Sequence, residues 1–137
     1  MTAVISTNYD LKYLYFLPIC VWAWNKLGVK VVCFVPYSDY MGSEAINQIP
    51  AQIMRDSLVK YKLDCELYYF KAPAHKQATY AQCSRLYGAC LDLPEDEVLI
   101  TGDVDMAVFE GMKWLLNPNF NDKQFDNIVN DVMCIWG

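Results

Sequence analysis

No cluster of lysines and arginines longer than an isolated pair occurs in the chain, and the net charge is −5. That combination argues against nucleic-acid binding, which needs a basic patch or stripe. It also means that a phosphorylated ligand could be held only with a metal ion or a few local cations. No C-x-x-C pair is present. The six cysteines stand at 20, 33, 65, 83, 90 and 134, mostly inside apolar runs, where a free thiol behaves as a small hydrophobe. The chain is neither short nor loop-rich, so reduced thiols in a cytoplasmic compartment are expected rather than a disulfide framework. The start of the chain has no basic region, which argues against a secretory signal. Residues 11–24 are very apolar, but they carry Lys12 and Pro18 and fall short of the roughly 20 residues a membrane span requires. They read as a buried helix, and no membrane span is expected. Glycine is absent from residues 6–11, and no internal repeat or low-complexity tract occurs.

The chain does hold ample apolar material: 55% of its 137 residues are hydrophobic and 15% aromatic, enough for the core of one domain. Residues 3–7 read as a first strand. Asn8-Tyr9-Asp10 follows as a turn in which Asn8 or Asp10 can cap a helix. That helix covers 11–27, is apolar nearly all round, and is therefore expected to pack deeply. Pro18 should kink or divide it, and Gly28 should stop it. Residues 29–36 form a second β-branched run, followed by the polar loop 37–43. Residues 44–61 read as helical, split by Pro50 with the longer part starting near Ala51, and apolar at 46, 49, 53, 54, 58 and 61. Residues 65–70 make a third strand. The loop 71–78 carries His75, the only histidine, which reads as a loop residue. A helix over 79–91 would place Tyr80, Cys83, Tyr87 and Cys90 on one packed face.

The most informative stretch comes next. Val98-Leu99-Ile100-Thr101 reads as a short, fully buried strand, and Gly102-Asp103-Val104-Asp105-Met106 follows it. Were the backbone extended there, Asp103 and Asp105 would point to one side, with Val104 and Met106 turned back into protein. Two carboxylates held this close repel unless something offsets them, and a divalent cation is the simplest offset. All-oxygen ligands suit Mg²⁺ or Mn²⁺, which commonly use one or two carboxylates plus substrate phosphates. The alternative is a pair of solvated loop acids.

The order β-α-β-α-β-α-β implies an α/β fold with a mostly parallel sheet and helices on both faces. Residues 107–116 can hold a helical turn, 117–122 break the pattern, and 132–136 read as a strand. Domain-like units are expected over 1–116 and 117–137. An end on an apolar strand suggests a piece of a longer protein.

Three segments together carry a family resemblance: Ser6-Thr7-Asn8-Tyr9, Ser84-Arg85-Leu86-Tyr87 and Thr101-Gly102-Asp103-Val104-Asp105-Met106. In this order they resemble the metal-dependent glycosyltransferases of the GT-A fold, over about residues 3–110. The resemblance implies a Rossmann-like nucleotide-diphospho-sugar transferase fold. It implies transfer of a hexose or deoxyhexose from a UDP-sugar donor to a hydroxyl of a glycan or glycoprotein acceptor, in a setting of viral or microbial glycan assembly such as a viral capsid glycan. It makes 1–116 the donor-binding unit and 117–137 the start of the acceptor-side half, with the catalytic base outside the chain. By the family's pattern Asp105 is the direct metal ligand. Asp103 contacts ribose, donor sugar or metal. Thr7, Asn8 and Tyr9 lie where the uracil is held, and Val104 lies between the two acids. Asp39 is the candidate acid for the base, and Arg85 and Lys76 are the candidate cations for donor phosphate.

Each assignment has a plainer counterpart. Tyr9 can simply pack, Asp39 can form a turn, and Lys76 can be a loop lysine. Arg85 falls nearly opposite the Cys83–Tyr87–Cys90 stripe, as a solvated surface arginine would. A metal-dependent sugar nucleotidyltransferase or phosphohydrolase, or a non-catalytic interaction domain, are the competing functions. The missing glycine-rich loop after the first strand counts against the nucleotidyltransferase.

Overall fold

The structure, a computed structural model, describes residues 1–38 and 49–106. Its centre is a sheet of four strands, β1 (Thr2–Ser6), β2 (Lys30–Tyr37), β3 (Cys65–Lys71) and β4 (Leu99–Thr101), in the order β3-β2-β1-β4. Every neighbouring pair is parallel, with Val4 opposite both Val32 and Thr101. Long β-branched runs without alternation suit this, because inner strands of a parallel sheet are covered on both faces. All five residues of β1 are buried. The expected α/β class with a parallel sheet is therefore present. The fourth strand departs from expectation. It starts at Leu99, is only half-buried, and leaves Val98 exposed. It pairs with β1, and among the described residues no strand lies on its other side.

Helices α1 (Leu11–Leu14), α2 (Phe16–Lys26) and α3 (Ile49–Lys60) cover one face. Pro18 divides the first helix as expected. Its ring conflicts with the carbonyl four residues back, that of Leu14, where α1 stops. Pro18 itself sits in the first turn of α2, where a missing N–H leaves no bond unmade. Leu14, Leu17, Cys20, Val21 and Trp24 join Ala3, Ile5, Val31, Cys33 and Val35 in the main core. Packing is not deep all round, however: Tyr15, Phe16, Ile19 and Trp22 are exposed, because the helices meet the sheet on one side only. Gly28 ends the segment at φ 75°, a left-handed conformation that a side chain resists.

The cap is shared between two residues. Asp10 Oδ1 accepts the Lys12 amide at 3.0 Å, while Asn8 Oδ1 accepts the Asp10 amide. Asp10→Ala is expected to destabilise the fold by about 1 kcal/mol, read as a lowered urea midpoint at unchanged slope. In α3, Ala51, Met54 and Leu58 are buried, whereas Ile53 and, just past the helix end, Tyr61 face outward, contrary to the expected apolar set.

The other sheet face carries a 3₁₀ turn (Ala74–Lys76), α4 (Gln77–Ser84) and a 3₁₀ stretch (Arg85–Cys90). The aromatic and cysteine stripe expected to pack here faces outward instead. Ala81, Ser84 and Gly88 are the buried positions. The segment lies so close to β1 that a Cβ on Gly88 would stand 2.9 Å from Val4 Cγ2. Only small residues fit beneath it, and Ser84 hides its hydroxyl by donating to the Ala81 carbonyl at 2.7 Å. The change from α to 3₁₀ winding also rotates everything after Ser84 away from the 100° periodicity that placed the stripe.

Asp39, the expected helical start at 44–48, and everything expected of 107–137 lie outside the described residues, as does the boundary at 116/117. None of the five described cysteines forms a disulfide. Among the described residues no helix is long and apolar enough to cross a membrane.

Candidate functional site

β1 is flanked by β2 on one side and β4 on the other, so strand order reverses across the β1–β4 pair. The connections leaving such a pair run to opposite faces, and a crevice opens at the carboxyl ends of the strands. A cleft of about 210 Å³ lies there. Ser6, Thr7 and Asn8 line it from the end of β1, Tyr13 from α1, and Ala78, Ala81 and Gln82 from α4. Asp103, Val104 and Asp105 close it from beyond β4.

The two acids reach the cleft by a turn rather than by strand alternation. The Gly102 amide donates to the Val4 carbonyl at 3.2 Å, and the Met106 amide then donates back to the Asp103 carbonyl at 3.2 Å. Val104, only 4% exposed, anchors the turn between the acids. The expectation of an extended backbone here is therefore corrected. A tight turn with one apolar residue rooted in the core brings both carboxylates to the same opening. Cys20 supports the turn from α2, its thiol donating to the carbonyls of Met106 (3.6 Å) and Asp103 (3.9 Å). Burial pushes that thiol up to about 11, so it stays protonated and able to donate at neutral pH. Iodoacetamide at neutral pH is accordingly expected to label exposed Cys83 and Cys90 and spare Cys20, read by peptide mass spectrometry.

Arg85 stands at the junction of α4 and the 3₁₀ stretch. With the aromatic stripe outward, its side chain turns inward. Nε donates to the Gln82 carbonyl at 3.1 Å, and Nη1 donates to Asp103 Oδ1 at 2.7 Å. The Asp103 side chain is 55% exposed, so the pair contributes about 1 kcal/mol or less to stability. Its larger effect is on the charge of the cleft. Asp103 is matched by a guanidinium, whereas Asp105 is exposed and has no hydrogen bond or ion pair among the described residues. Asp105 is thus the acid left to attract a cation.

No group of three or more His, Cys, Asp or Glu able to hold a metal occurs among the described residues. A cage made only of protein ligands is therefore not what these residues offer. One free carboxylate, with a second beside it, fits a hard cation that takes its remaining ligands from phosphate oxygens and water.

The other sequence candidates divide. Thr7 lines the cleft but is buried, its amide donating to the Phe34 carbonyl and its hydroxyl to the Asn8 carbonyl at 3.3 Å. Asn8 lines the cleft with its side chain committed to the turn. Tyr9 does not line it. The Asn8–Asp10 turn directs its ring into the core, where it is 7% exposed and its hydroxyl has no hydrogen-bond partner among the described residues. Burial, with Tyr69 nearby, pushes that phenol well above its ordinary range. Lys76 is exposed and lies outside the lining of the cleft. Tyr13 and Gln82 were missed from the sequence. Tyr13 sits three residues beyond the Asp10 cap, and Gln82 three before Arg85, so capping and helical spacing were the available signals. The chain matches no protein-family model, no curated protein and no solved structure.

Proposed function

We propose that this cleft is the donor site of a metal-dependent glycosyltransferase, binding a UDP-sugar with Mn²⁺ or Mg²⁺ on Asp105. The supporting observation is the unequal state of two neighbouring acids at a strand-order reversal: Asp103 neutralised by Arg85, Asp105 without a hydrogen bond or ion pair among the described residues. A nucleoside diphosphate brings two or more negative charges to an acidic protein, and these residues can receive it. Arg85 is outside the cleft lining, but its Nη1 bonds Asp103 Oδ1, which belongs to the lining, and from there it can extend a charge-assisted hydrogen bond to a phosphate oxygen. Tyr13, 40% exposed on the lining, offers the ring face that Tyr9 does not, suited to the base or the sugar. Ala78 and Ala81 leave room for ligand against α4. When bound, the divalent cation would act as a Lewis acid that stabilises charge developing on the departing diphosphate. The acceptor hydroxyl, from a glycan or glycoprotein, approaches from the open side of the cleft.

The test is calorimetric titration of UDP with and without Mn²⁺. Binding that requires the metal, weakened several-fold by Tyr13→Ala and by Arg85→Ala, is the expected result. Equal UDP affinity in EDTA would overturn the metal assignment. Hydrolysis of a UDP-sugar by the metal-loaded chain is the expected activity.

A further inference from the structure

The two acids of the cleft are held by different means. Asp103 is fixed through its side chain, which accepts a hydrogen bond from Arg85 Nη1 at 2.7 Å. Asp105 is exposed, and its carboxylate makes no hydrogen bond or ion pair among the described residues, so its direction is set by the backbone on either side. Before it, Val104 roots that backbone in the main core. After it stands Cys20. The thiol sulfur lies 3.6 Å from the Met106 carbonyl oxygen and 3.9 Å from that of Asp103, the last and first residues of the turn. Cys20 is 2% exposed, on the face of α2 that carries Leu17, Val21 and Trp24 into the core, so it cannot follow if the turn moves. Cys20, Val104, Asp105 and Met106 also border one groove, which places the thiol next to the acid itself.

From this arrangement we infer that Cys20 is the positioning residue of Asp105: its thiol ties both ends of the acid-bearing turn to one point on α2 and so keeps the Asp105 carboxylate on the cleft. The functional part of this inference rests on the donor-site reading. A thiol has one hydrogen, and sulfur is a weak donor. Its effect is therefore geometric more than energetic. Two carbonyls share one donor, so each limits the swing of the other. The Met106 amide closes the same loop by donating to the Asp103 carbonyl at 3.2 Å. Released at Met106, the peptide after Asp105 can rotate, and the carboxylate leaves the place where a cation and a diphosphate would meet. A small hard cation demands near-ideal ligand geometry, so it is sensitive to such a change. Cys20 touches neither cation nor substrate and acts through Asp105.

The experiment uses the full 137-residue chain with Cys20→Ala and Cys20→Ser, and it has two readouts. The first needs no ligand: exchange of the Met106 amide with deuterated water, followed by NMR. It should quicken several-fold in Cys20→Ala, while Cys20→Ser, which keeps a donor, should restore part of the protection. The second is titration of UDP with Mn²⁺ and with EDTA. Cys20→Ala should weaken the metal-dependent binding about tenfold and leave the affinity in EDTA unchanged. On an Asp105→Asn background the same substitution should cost no further affinity, because the residue it acts through is gone. A further loss on that background would overturn the inference, as would losses equal in Cys20→Ser and Cys20→Ala. Unchanged Met106 exchange in Cys20→Ala would overturn it whatever UDP does. Exchange that responds, in a parent chain that binds no UDP with metal, would uphold the grip of the thiol on the turn and defeat the donor-site reading instead.

Discussion

Asp105→Asn should remove metal-dependent UDP binding, weakening it by about a hundredfold while leaving the melting temperature without ligand almost unchanged. The substitution keeps the size of the side chain and removes only its charge. Asp105 makes no hydrogen bond or ion pair among the described residues, so the fold loses nothing with it. The neighbouring carboxylate cannot take over, because Arg85 already holds Asp103 Oδ1 at 2.7 Å. Asp103→Asn should accordingly be the milder change: it frees the guanidinium, and part of the metal-dependent affinity survives. A larger loss from Asp103→Asn than from Asp105→Asn would reverse the roles assigned to the two acids. Chelation offers an independent check. EDTA should bring the parent chain to the affinity of Asp105→Asn and leave the variant where it was.

The second large effect is expected at Gly88. A methyl group there meets Val4 Cγ2 at 2.9 Å and Cγ1 at 3.2 Å. Val4 lies in the centre of the sheet, fully buried, and cannot swing aside. The 3₁₀ stretch must therefore lift from β1. Overpacking of this kind costs about 1–3 kcal/mol, a large fraction of the stability of a domain this size. The consequence reaches the cleft as well, because Arg85 begins the same stretch. Gly88→Ala should lower the denaturation midpoint and weaken UDP binding together. Val4→Ala opens space at the contact. In the double variant the coupling should recover at least about 1 kcal/mol relative to the sum of the single changes. Purely additive losses would show that the close approach is not what Gly88 provides.

Much of the scaffold was readable from residue order alone, for physical reasons that are local. The β-branched runs around Val4 and Val31–Val32 identify inner parallel strands because both of their faces must be apolar. Pro18 stops α1 four residues earlier through its own ring, and Gly28 ends α2 through its freedom at positive φ. These are contacts of a residue with its immediate neighbours. The pairing of Asp103 and Asp105 as a chemical unit was also visible, since two acids in three residues repel whatever their conformation.

Which faces are covered was not readable, because burial depends on what arrives from elsewhere in the chain. Tyr80, Cys83 and Tyr87 looked like a core stripe by periodicity and hydrophobicity. Ala81, Ser84 and Gly88 took that place because the sheet comes within a methyl group of the segment. That one substitution of faces turned Arg85 from a surface residue into the partner of Asp103. The exchange of Tyr9 for Tyr13 on the cleft lining has the same origin, a turn whose hydrogen bonds point one ring inward and leave the other at the opening. Local rules set the strands, the helix ends and the charged pair. The distances across layers, between residues 18 to 95 positions apart, as in Arg85–Asp103 and Thr2–Glu97, set which of those residues meet. Short-range chemistry carries no record of separations that long.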